Sequence, residues 1–89
     1  MRGEVDRIIE LVRGVYSDVT CEQLRVVHPG ADDDGLWFFT RPGVSNEVQI
    51  ESSSGRCPFL IEHNDTDERR TGDTPEAVAG VILEWLRGS

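Results

Sequence analysis

The hydrophobic residues of this chain change their spacing twice, and that change of period constrains the fold more than any other feature of its 89 residues. Near the start, Val5, Ile8, Ile9, Val12 and Tyr16 recur at helical intervals, while Glu4, Asp6, Arg7, Glu10 and Arg13 occupy the complementary face. Near the end, Val78, Val81, Ile82 and Trp85 fall at i, i+3, i+4 and i+7. Between these stretches the period drops to two. Val48 and Ile50 alternate with Glu47, Gln49 and Glu51, and Phe59 and Ile61 alternate with Leu60 and Glu62. Two such helices can bury their stripes only against the sheet formed by the middle of the chain.

Local signals set the predicted boundaries. The first helix is expected over residues 3–15 and a turn over residues 18–21. A strand follows in which Leu24 and Val26 point inward, ending at His28, Pro29 and Gly30. Asp32, Asp33, Asp34 and Gly35 form an acidic turn, and Leu36 to Thr40 an aromatic strand that is apolar on both faces. Residues 47–52 and 57–63 supply two more strands, with Pro58 suited to an edge, and residues 64–73 read as a polar connection. Thr74 can cap the second helix, Pro75 suits its first turn and Glu76 its positive end. The expected fold is a single α+β domain over residues 1–89. It is a two-layer sandwich of a four-stranded antiparallel meander with the N- and C-terminal helices on one face (αββββα).

Charge narrows the partners. Seventeen acidic residues against nine basic ones give a formal net charge of −8, and all nine are arginine. The absence of lysine removes Schiff-base and phosphate-cradle chemistry, and the acidic balance disfavours nucleic acid and anionic membranes. The α-β-β-β-α order of the double-stranded-RNA-binding domain is similar, but this chain has an extra strand, no lysine, and Glu76 where a phosphate-contacting helix would carry basic residues. Arg2, Glu4, Asp6 and Arg7 break every early apolar run, so no secretory signal is expected and the expected address is cytoplasmic.

Few residues invite chemistry. Cys21 and Cys57 form no CxxC or Cys/His ligand spacing, and in the meander they begin strands at opposite corners, beyond the roughly 7 Å Cα separation of a disulfide. His28 and His63 end the same two strands and lie more than about 20 Å apart on this topology. A metal or acid/base site near His63, Glu62, Asp65, Asp67 and Glu68 would need completion across a homodimer, which defines the alternative reading of a small metal-dependent enzyme. The aspartate run lacks the alternating ligands and terminal Glu of a calcium loop, and no cofactor motif occurs.

The remaining candidate is the sheet face that the helices leave uncovered. The predicted partner-binding set is Arg25, Trp37, Phe39, Glu47, Gln49, Glu51, Leu60 and Glu62. Strand two must present one pair there, Trp37 with Phe39 or Leu36 with Phe38, because successive side chains point to opposite faces. An aromatic centre rimmed by Glu and Arg has the composition of a protein-binding surface. The expected function is a non-enzymatic module that engages a basic protein or a second copy of the chain, as an immunity-type inhibitor, chaperone or adaptor does.

Overall fold

The computed structural model describes residues 3–23, 35–52, 56–63 and 68–87. Among these residues seven elements follow one another: α1 (Glu4–Val15), β1 (Thr20–Gln23), β2 (Leu36–Thr40), β3 (Val48–Glu51), β4 (Phe59–His63), β5 (Arg69–Gly72) and α2 (Pro75–Trp85). The strands pair antiparallel in the order β1-β2-β3-β4-β5, a plain meander.

Both helices begin as the sequence predicts. The Asp6 carboxylate accepts from the Gly3 N–H at 3.2 Å, and the Thr74 hydroxyl accepts from the Ala77 N–H at 3.1 Å, with Pro75 in the first turn. Ile8 and Val12 of α1 and Val78, Ala79 and Ile82 of α2 are buried in one cluster with Phe39, Val48, Ile50, Phe59 and Ile61. The α+β sandwich with both helices on one sheet face is therefore the fold, with five strands in place of four.

The fifth strand comes from the segment read as a polar connection. Arg69, Arg70 and Thr71 are exposed, and only Gly72 is buried, so no period-two hydrophobic signal marks β5. Backbone pairing with β4 carries it, from Phe59 opposite Gly72 to Glu62 opposite Arg69. This pairing makes β4 an interior strand, and Pro58 lies just before it, after a cis Cys57–Pro58 peptide bond, rather than on an edge. β1 begins at Thr20, inside the predicted turn; the predicted inward positions Leu24 and Val26 lie outside the described residues.

The two helices run parallel. Arg7 of α1 meets Glu76 of α2 at 3.8 Å, placing both N-terminal turns together. At the opposite end the Arg41 guanidinium bridges the residues that close the two helices. It lies over the Tyr16 ring, its carbon 3.8 Å from the centroid, and donates to the Leu86 carbonyl at 3.1 Å and the Arg87 carbonyl at 3.3 Å. Parallel helix dipoles put like partial charges side by side, and this arrangement answers them with Glu4, Asp6 and Glu76 at the positive ends and Arg41 at the negative ends.

Candidate functional site

Sheet register builds the open face. Because cross-strand partners share a face, one row runs Glu22, Phe38, Gln49, Glu62, Arg69 across the five strands. The next row runs Leu36, Glu51, Leu60, Thr71. At one corner the Thr20 and Thr40 hydroxyls hydrogen-bond at 2.7 Å. Both helices lie behind the sheet, against the opposite face.

Leu36, Phe38 and Leu60 are half-buried, as are Gln49 and Glu62, whereas Glu22, Glu51, Arg69 and Thr71 are exposed. The described face thus holds an apolar centre with three carboxylates and one guanidinium around it. The Arg69 guanidinium reaches Glu62 at 3.8 Å, an exposed pair worth at most about 1 kcal/mol.

Of the predicted set, Gln49, Glu51, Leu60 and Glu62 fall on this face, and Glu47 stands exposed immediately before β3. Trp37 and Phe39 do not. Phe39 is fully buried in the core and Trp37 meets Phe59 edge-on with centroids 6.1 Å apart, so the pair facing outward is Leu36 and Phe38. Phe39 turns inward because Val48 and Cys21 oppose it in register, and all three pack against the helices. Gln23 opposite Trp37 shares that inner side, and Glu22 takes the outer position on β1. Arg25 lies outside the described residues. The missed signal was the four-residue apolar run of strand two, whose two faces periodicity cannot tell apart.

Burial, with a smaller contribution from the Glu22 charge, pushes the Cys21 thiol up to about 12. The Cys57 thiol is also pushed up to about 12, by desolvation first, then by its hydrogen bond to Glu4 and by the charges of Glu4, Asp73 and Glu76. Both cysteines are free and held protonated, the opposite of an activated thiolate. His63 faces the helices, its ring centroid 4.2 Å from that of Trp85, whereas its neighbour Glu62 points to the open face. Glu68 pairs with Arg70 at 3.4 Å. His28, Asp65 and Asp67 lie outside the described residues, among which no group of three or more His, Cys, Asp or Glu side chains is placed to hold a metal ion.

A shallow depression along α1, lined by Asp6, Ile9, Glu10, Arg13, Gly14 and Ser17, is open to solvent over most of its extent. It lacks the enclosure of a small-molecule site. Among the described residues no helix is long and apolar enough to cross a membrane. Comparisons with family models, curated proteins and solved structures find no match to this chain.

Proposed function

We propose that this chain is a non-enzymatic protein-binding module whose open sheet face docks a basic partner protein. The observation that supports it most is the placement of half-buried Leu36, Phe38 and Leu60 among Glu22, Glu51 and Glu62 on the side of the sheet facing away from both helices. An aromatic side chain at the centre of a patch gains most when a partner excludes water from it, and a rim of one charge sign selects partners of the other. The excess of carboxylates over the guanidinium of Arg69 agrees with the chain's net charge of −8, so a basic surface is attracted at long range before it is gripped at short range.

The test compares the wild-type chain with Phe38→Ser and Glu51→Arg in capture at low salt. A captured basic protein is then purified and its affinity measured by calorimetry. Phe38→Ser should weaken binding by about 30-fold, the effect of losing a central aromatic anchor. Glu51→Arg should weaken it further, and added salt should weaken the wild type. Binding that is unchanged in both variants removes the open face from the interface.

A further inference from the structure

The register places one carboxylate between the two leucines of the open face. Leu36 on β2 and Leu60 on β4 are the direct cross-strand neighbours of Glu51 on β3, each about 5 Å away on the same side. Phe38 is the diagonal neighbour, opposite Gln49 two residues before Glu51, at about 7–8 Å and within reach of a planar group resting on Glu51. Among the described residues of the face the one cation is committed elsewhere: Arg69 sits on β5, two strands away, and pairs with Glu62 at 3.8 Å. Glu51 therefore stands exposed between two half-buried leucines, and this apolar notch between strands β2 and β4 has an aromatic ring to one side.

Resting on the reading of this face as a docking surface for a basic partner, we infer that the notch takes a single arginine side chain of that partner, its methylene stem lying between Leu36 and Leu60 and its guanidinium on the Glu51 carboxylate. Three properties of the notch favour arginine over lysine. The carboxylate accepts two parallel N–H donors from a guanidinium, the Phe38 ring offers that plane a stacking surface, and a guanidinium loses less hydration than an ammonium when it enters apolar surroundings. The stem covers leucine surface that the isolated chain leaves partly in water.

The experiment titrates the full chain with blocked hexapeptides that differ at one central position, arginine, lysine or citrulline, and follows backbone amide shifts. Citrulline keeps the shape of arginine without its charge. The arginine peptide should move the amides of Leu36, Glu51 and Leu60, with a dissociation constant on the order of 1 mM. The citrulline peptide and the Glu51→Gln variant should each bind about 10-fold more weakly, and the lysine peptide about 3-fold more weakly. Glu10→Gln, on α1 behind the sheet, should bind as the wild type does.

Equal shifts with arginine and citrulline, a response centred on Glu22, or no response at about 5 mM peptide would each overturn the assignment. So would a free protein that sediments as a dimer covering Leu36 and Leu60, since a second copy would then occupy the notch. The two readings fail separately. A basic partner that depends on Phe38 but binds Glu51→Gln with full affinity overturns the arginine site alone, whereas a partner indifferent to Phe38 removes the docking face beneath it.

Discussion

The Arg41 guanidinium carbon lies 3.8 Å above the centre of the Tyr16 ring, and from there the group holds the Leu86 and Arg87 carbonyls just after α2, so one side chain from the β2–β3 loop closes both helices at once. Its Nε also bonds the Asp18 carboxylate at 3.1 Å, tying the turn after α1 to the same point. Asn46 from the same loop donates to the Trp85 carbonyl at 3.0 Å, adding a second cap to α2.

Removing that clamp should cost more than an ordinary surface substitution. We expect Arg41→Ala to lower unfolding free energy by about 2–3 kcal/mol, from the lost ring contact, the uncapped carbonyls and the stranded Asp18. Arg41→Lys should recover less than half, because an ammonium cannot lie on the ring and reach two carbonyls together. Urea midpoints of the three proteins check this, and a lysine variant as stable as the wild type would contradict the geometry.

Two glycines should respond to alanine with opposite signs. A Cβ at Gly72 would stand 2.5 Å from Val78 Cγ2, 3.0 Å from its N and 3.2 Å from its Cα. The last two are backbone atoms that cannot step aside, so Gly72→Ala should cost about 2–3 kcal/mol and separate β5 from α2. At Gly80, exposed inside α2, a Cβ meets nothing within 4 Å, and alanine should stabilise by about 0.5–1 kcal/mol. Thermal unfolding of the two single variants separates the cases.

Adjacent phenylalanines should behave as residues of different compartments. Phe39→Ala opens a cavity in the core and should cost about 3–5 kcal/mol, close to the whole stability of a small domain. Phe38→Ser, on the open face, should change stability by less than about 1 kcal/mol. A larger loss at Phe38 than at Phe39 would mean that the strand-two facing is reversed.

Titration sets limits on both sides of neutrality. The half-buried Cys21 thiol keeps its proton to about 12, whereas in the unfolded chain it loses it near the ordinary 9.0. The folded state then binds more protons, so stability present below pH 9 falls as pH rises toward 12, and Cys21→Ala should flatten that fall. Glu4 behaves oppositely. Its hydrogen bonds to Cys57, including the 2.6 Å bond from the Cys57 N–H, hold its carboxyl below the usual 4.5. The stability it contributes is present above pH 4.5 and is lost as pH falls through that lowered value, so Glu4→Gln should show a shallower acid limb. Unfolding free energies at a series of pH values test both.

The sequence exposed whatever was written as a period or a cap. The α1 and α2 stripes, the Thr74–Pro75 start and the inward Val48, Ile50, Phe59 and Ile61 could all be read directly, because burial alternates there with charge. Trp85 ends the stripe read from the sequence, yet it is only half-buried and lies tilted against the His63 ring, while Leu86, one residue further on, is fully buried. Leu86 continues the buried line of Val78 and Ile82 at four-residue spacing, whereas Trp85, about 100° round the helix, borders that line as half-buried Val81 does. β5 was invisible because an edge strand of Arg, Arg, Thr and Gly is held by its backbone, and side-chain patterns do not record backbone pairing. On the open face the acidic positions of β3 and β4 were legible, but the facing of Phe38 and Phe39 depended on register with Val48 and Gln49.

The parallel course of the helices fixes how the molecule carries mechanical load. Gly3 begins α1 at the end where Arg7 meets Glu76, and Arg87 leaves α2 at the end where Arg41 meets Tyr16. Tension applied between Gly3 and Arg87 would draw α1 one way along its axis and α2 the other, loading their contact in shear. Side chains interlocked across a sheared interface must slip together rather than peel apart in turn. Anchored at those two points, the pair of helices would be loaded along its whole length at once, and its yielding would be governed by an unfolding rate rather than by equilibrium stability.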